Sequence, residues 1–196
     1  MDVSLYERYP RSSIFHPRSS MVGFDMSGSG SVWYRLRQFL AALMARLTPA
    51  EREWVVQMLR PAELVLFERM PRYDQRHCLD VCTTLRAGGY ADPLLLRAAL
   101  LHDCGKVGDD GRPIPLIYYG AFVVIGRLAP ALYRWAARSG RGPLRPFAVH
   151  AAHDERSARM AAAAGCPLAL VTILDDYGAR RTTAQTLALA WADEQN

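Results

Sequence analysis

Asp92-Pro93-Leu94-Leu95-Leu96-Arg97-Ala98-Ala99-Leu100-Leu101-His102-Asp103-Cys104-Gly105-Lys106 decides the fold class. Asp92 caps a helix, and Pro93 stands in the first turn, where its missing N–H costs nothing. Leu94, Leu95, Leu96, Ala98, Ala99, Leu100 and Leu101 make that helix apolar nearly all round. A helix with no broad polar face must be covered on every side, which makes it the central element of a helical bundle. Gly105 and Gly108 end it. His102 and Asp103 therefore ride on a buried helix end. A buried, unpaired carboxylate is costly and has to be paired or metal-bound. Neighbouring helix positions point about 100° apart, yet loosening at Gly105 would let one cation lie between the two side chains. An ordinary Asp–His hydrogen bond also explains the dipeptide taken alone.

Outward from this element the pattern stays helical. Trp33, Leu36, Phe39, Leu40, Leu43 and Leu47 recur at three- and four-residue spacing. Thr48-Pro49-Ala50-Glu51 forms a capping box for a helix carrying Trp54, Val55, Met58 and Leu59. A short helix covers Ala62 to Met70, and Asp74 caps one from Gln75 to Arg86, ended by Gly88-Gly89. Downstream, helices cover Ile117 to Ala137 with a kink at Pro130, Phe147 to Ala164, and Leu168 to Tyr177. A last one is capped by Thr182 or Thr183 and runs towards Asp193. No strand is expected: Val123-Val124-Ile125 is β-branched but too short. The fold class is all-α, a compact bundle of roughly eight helices. Residues 1–31, rich in Ser, Gly, Arg and Pro, read as a disordered leader. Residues 32–70 are N-terminal helices packing on the domain that residues 71–196 form.

Hydrophobic residues make up 51% of the 196, enough for a core. The net charge of +5 suits anionic ligands, nucleic acid or an acidic membrane surface without choosing among them. Lys106 is the only lysine; the other basic residues are arginines, a bias that GC-rich codon usage produces. Cys78, Cys82, Cys104 and Cys166 form no Cys-x-x-Cys pair, so neither a zinc finger nor a disulfide framework is expected, and a reducing cytoplasm fits best. No secretory signal is visible in residues 1–31. The longest apolar run, Ile114 to Gly126, is too short to cross a bilayer. It reads as a buried helix, with contact to a membrane surface as the lesser alternative.

His77 lies upstream of the dipeptide, early in its own helix. His77…His102-Asp103-Cys104-Gly105-Lys106 resembles the HD superfamily of metal-dependent phosphohydrolases. Its signature is a first His on one helix, then a His-Asp pair ending a buried helix, often followed by Gly-Lys. His153-Asp154-Glu155-Arg156-Ser157-Ala158-Arg159-Met160, then Ala164-Gly165-Cys166-Pro167, looks like the family's later helix, and Asp193 looks like its last ligand. The resemblance covers about residues 74–196. Asp175-Asp176 departs from it, standing where two-metal members commonly have a His.

The resemblance implies an HD-domain bundle and a divalent metal, one ion or two. Mn²⁺, Mg²⁺, Fe²⁺, Co²⁺, Ni²⁺ and Zn²⁺ are not distinguished by these donors. His77, His102, Asp103 and Asp193 would hold the main ion. His153 and Asp176 would hold a second or orient the phosphate, and Asp175, Asp176 and Asp193 compete to complete the site. His102, Asp103 and Lys106 form the catalytic group. Lys106 either neutralises a phosphate oxygen or pairs with Asp103. Arg76 either meets the phosphate or is a surface arginine, and His150 either faces the site beside His153 or is partly exposed. The implied activity is hydrolysis of a phosphate ester of a nucleotide or other small phosphorylated molecule by a metal-activated water. Alternatives are a dinucleotide polyphosphate or cyclic-dinucleotide hydrolase, and a non-catalytic metal- or nucleotide-binding module. Nucleic-acid binding through Arg134, Arg138, Arg141 and Arg145 is a further, weaker alternative. The oligomeric state is not legible.

Overall fold

The computed structural model of the protein describes residues 46–196. The leader over 1–31 and the helical pattern from Val32 to residue 45 lie outside the described residues. Among those described there are ten α-helices and no β-strand, so the all-α class is observed. The helices are α1 (Pro49–Met58), α2 (Pro61–Arg69), α3 (Arg72–Ala87), α4 (Pro93–Leu101), α5 (Ile117–Leu128), α6 (Pro130–Ser139), α7 (Arg145–Ala151), α8 (His153–Ala163), α9 (Leu168–Gly178) and α10 (Ala184–Asp193). Two 3₁₀ turns, Cys104–Lys106 and Gly142–Leu144, precede α5 and α7.

The count exceeds eight because two expected helices are each broken in two. Pro130 has no N–H to donate and pushes the preceding residue out of the helical region. Ala129 accordingly takes φ −141°, ψ 61° and separates α5 from α6. Ala152 (φ −112°, ψ 6°) separates α7 from α8, so that His153 opens a helix of its own.

The caps follow the local chemistry. Thr48 and Glu51 form the reciprocal box of α1, with Thr48 N–H donating to Glu51 Oε2 at 2.8 Å and Glu51 N–H to Thr48 Oγ1 at 3.2 Å. The Asp92 carboxylate accepts the Leu94 N–H at 3.0 Å. Thr183 caps α10. Asp74 does not cap: α3 starts earlier, behind Pro71, and Asp74 is buried within its first turn.

Helix α4 is the centre, with Leu95 to Leu101 buried throughout. α2, α3, α9 and α10 pack on it, and α8 joins through α9 and the Cys104–Lys106 turn. Each fully buried leucine here contributes roughly 2 kcal/mol. Arg97, the one charged residue of α4, is buried against the equally buried Glu63 of α2, to which its Nε donates at 2.8 Å. A second, smaller core of Ile114, Phe122, Ala136, Phe147 and Val149 lies under α5, α6 and α7. The run from Ile114 to Gly126 is thus not a buried helix: Ile114 and Phe122 face inward, while Ile117, Val123 and Val124 are exposed.

Candidate metal centre

Helix α4 gives out at Leu101, and the chain tightens into the 3₁₀ turn. His102 and Asp103 stand between the two, and both are buried. Gly105 lets the turn pack flat on α8: a Cβ there would sit 2.7 Å from the Ser157 nitrogen and 2.9 Å from Arg156 Cβ. Ser157 pins the contact. Its hydroxyl accepts the Gly105 N–H at 2.9 Å and donates to the His102 carbonyl at 2.5 Å. Arg156 closes the far side, donating to the Gly105 and Val107 carbonyls at 3.0 Å each.

The His102 ring is oriented by its own helix. Nδ1 donates to the Ala99 carbonyl at 2.8 Å, so that Nε2 is the lone-pair nitrogen whenever the ring is neutral. That Nε2 is buried and, among the described residues, has no hydrogen-bond partner. It faces Asp193 Oδ1 at 3.6 Å and Asp103 Oδ2 at 3.7 Å, both too long for a hydrogen bond. An orphaned buried nitrogen is costly unless something satisfies it. A lone pair aimed between carboxylates, with the other ring nitrogen held by a carbonyl, is the arrangement of a metal-ligating histidine.

His77 on α3 completes the group. The ligand atoms of His77, His102 and Asp103 all lie within 4.8 Å of one another. His77 Nε2 is 3.6 Å from Asp103 Oδ2 and 2.9 Å from Asp193 Oδ1. Asp193 comes from the end of α10, and its other oxygen accepts the Tyr177 hydroxyl at 2.8 Å. Asp103 divides its two oxygens. Oδ2 meets Lys106 Nζ at 2.5 Å, and Oδ1 meets His153 Nε2 at 3.3 Å. His153 Nδ1 donates to the His150 carbonyl at 2.5 Å, and its Nε2 also lies 3.2 Å from Asp154 Oδ1.

The electrostatics call for positive charge. Burial disfavours a charged His102, yet the adjoining Asp103 carboxylate outweighs it and holds the imidazole well above the usual range. Burial likewise opposes ionised Asp103 and Asp193. Lys106 and His102 hold Asp103 well below the carboxylate range, and His102 and His77 do the same for Asp193. A divalent cation meets this demand with neutral imidazoles, so the residues present fit such an ion.

Three groups that the sequence reading left out touch this cluster. Asp74, one turn before His77 on α3, is buried, lies 3.7 Å from Lys106 Nζ and accepts the Tyr119 hydroxyl at 3.0 Å. Burial raises its carboxyl to about 6. Its three-residue spacing from His77 was the available signal. Tyr177 and Tyr119 carry no such signal, because each meets its carboxylate from a different helix.

The other candidates have partners of their own. Arg76 grips Asp80 and reaches Glu51 at 2.8 Å, so it faces α1 and is neither phosphate-facing nor a free surface arginine. Asp176 is paired with Arg181 at 2.5 Å, Asp175 joins the same guanidinium, and neither forms an ion pair with a histidine of the cluster. His150 is half-buried, stacked between Phe122 and His153, with Nδ1 2.6 Å from the Tyr133 hydroxyl. Burial pushes its imidazole down to about 4. No family model, curated protein or solved structure matches the chain.

Proposed function

We propose that the protein is a metal-dependent phosphohydrolase of the HD type, acting on a phosphate ester of a nucleotide or another small phosphorylated molecule. The observation that carries this reading is the buried, unpartnered Nε2 of His102, aimed into a cluster with His77, Asp103 and Asp193. Those four residues would hold the ion. His153, on the other oxygen of Asp103, and Asp154 beside His153 are the donors available to a second. When bound, a divalent cation supplies Lewis acidity, lowering the pKa of a ligated water and drawing charge from a phosphoryl oxygen.

The chain's own residues have distinct tasks. Asp103 sits between Lys106 and His153, so its two oxygens are aligned before any ligand arrives. Lys106 counters the carboxylates of Asp103 and Asp74 from a buried position, which keeps the cluster from repelling an anionic substrate. Tyr177 orients Asp193. His102 and His153 are each locked in one ring orientation by a backbone carbonyl. All four cysteines are free thiols, three of them buried, which suits the reducing cytoplasm in which we place the protein.

A second reading, a non-catalytic module that binds metal or nucleotide, has one observation in its favour. Asp176, standing where two-metal members commonly carry a His, is committed to Arg181. Metal analysis of purified protein, followed by a nucleotide and phosphomonoester panel, separates the two. Turnover that requires Mn²⁺, Mg²⁺, Co²⁺ or Ni²⁺ and vanishes in His102→Ala and Asp103→Ala supports the enzyme. Stoichiometric metal without turnover selects the module. Protein that binds neither these ions nor a nucleotide overturns both.

A further inference from the structure

Between Asp110 and Asp154 the chain contains no Asp, Glu or Lys, but does contain Arg112, Arg127, Arg134, Arg138, Arg141 and Arg145. This one stretch holds more than the chain's whole formal excess of +5. It is also the stretch that forms α5 and α6. The inner face of α5 is fixed: Phe122 packs in the second core, and Tyr119 donates to Asp74 beside the metal centre. Its outer face is apolar and uncovered. At about 100° per residue, Ile117, Val124 and Leu128 fall within roughly 40° of one another. They are 83%, 55% and 78% exposed. On α6, Leu132 and Trp135 are exposed as well. Arg127, Arg134, Arg138 and Arg141 are exposed, and among the described residues no carboxylate pairs with any of them.

Exposed aliphatic residues, an exposed Trp and unpaired arginines on consecutive short helices are the chemistry of an interfacial membrane element. We infer that the outer faces of α5 and α6 dock on the surface of an anionic lipid bilayer, the apolar side chains entering the headgroup boundary and the arginines meeting lipid phosphates. No helix among the described residues is long and apolar enough to cross a membrane, so the element lies on the surface. Nucleic acid would satisfy the arginines but leave Ile117, Val124 and Leu128 in water. A second copy meeting this face isologously would bring arginine against arginine, with no acid in the stretch to receive them.

The test is co-sedimentation of the full chain with vesicles of phosphatidylcholine alone and of phosphatidylcholine with about a third phosphatidylglycerol. Binding to the anionic vesicles is expected, weakening as salt rises and absent on the neutral ones. Leu128→Glu and the double change Arg134→Gln, Arg138→Gln should each weaken it about tenfold or more. These positions are exposed, so unchanged circular dichroism and melting are expected of both variants. Failure of the folded wild-type chain to bind anionic vesicles at low salt overturns the inference. So does dimerisation that Leu128→Glu abolishes in the absence of lipid binding, which assigns the face to a second copy. Tight DNA or RNA binding that Leu128→Glu leaves intact, again without vesicle binding, assigns the arginines to nucleic acid. None of these readouts depends on metal or on turnover.

Discussion

The Gly105 backbone lies against the carbonyl of His153 with no room for a side chain between them. The contact joins the end of the central helix to the start of α8, and so sets the distance from Asp103 to His153. Gly105→Ala would force a methyl group into the His153 carbonyl and the Ser157 nitrogen, neither of which can yield without moving a helix. We expect a loss of about 3 kcal/mol or more, measured by urea denaturation. A variant within about 0.5 kcal/mol of the parent would show that the turn is not held closely to α8.

Cation binding should be visible as stability. A ligand held only by the native state and present at about a hundred times its Kd adds roughly 2.7 kcal/mol, which for a domain of this size raises Tm by about 5–10 °C. Addition of Mn²⁺ to metal-stripped protein should produce such a rise, and EDTA should reverse it. His102→Ala should melt at the same temperature with or without the ion. A rise in His102→Ala equal to that of the parent would place the ion elsewhere.

The pair between Arg97 and Glu63 couples the central helix to α2 from within the core. Glu63 also accepts the Arg60 N–H at 3.0 Å, so its carboxylate serves both the cap and the pair. Removing one partner leaves a buried charge alone, and Arg97→Ala should cost about 3–5 kcal/mol. The joint replacement Arg97→Met, Glu63→Leu should cost far less, because the uncompensated charge disappears with its partner. Calorimetry on the two variants decides this. Equal losses would mean that packing, and not charge, dominates the site.

Glu51 gives the fold a defined response to acid. Burial alone would raise its carboxyl, but the Thr48 N–H and the Arg76 guanidinium reverse this and hold it below the ordinary value. A carboxyl depressed by folding contributes stability that is fully present above its unfolded pKa, near 4.3, and lost as pH falls through its folded value. Glu51→Gln should therefore cost on the order of 1 kcal/mol at neutral pH, with the difference from the parent closing below about pH 4. Parallel stability curves from neutral pH down into acid would show that the ion pair with Arg76 contributes nothing.

How far the sequence reaches can be judged from particular residues. The all-round apolar face of Leu94 to Leu101 made α4 central, and α4 is central. The capping box at Thr48 and the cap at Asp92 were legible because they satisfy N–H groups within a single turn. The split of Ile117 to Ala137 was legible only as a kink, since Pro130 marks the place without stating the angle. The exposure of Ile117, Val124 and Leu128 was not legible. An apolar run states what it avoids, not what is available to cover it.

The same division holds at the candidate metal centre. The buried end of an apolar helix singled out His102 and Asp103, because a buried carboxylate demands a partner wherever the rest of the chain goes; His77, His153 and Asp193 were expected only from the resemblance to a metal-dependent family. Only the tertiary structure could bring Tyr177 to Asp193 and Tyr119 to Asp74, set Lys106 beside Asp74, and send Arg76 to Glu51. Those choices depend on which distant helices meet and at what angle. Packing sets that angle, through contacts such as the one between Gly105 and His153 that no local pattern encodes.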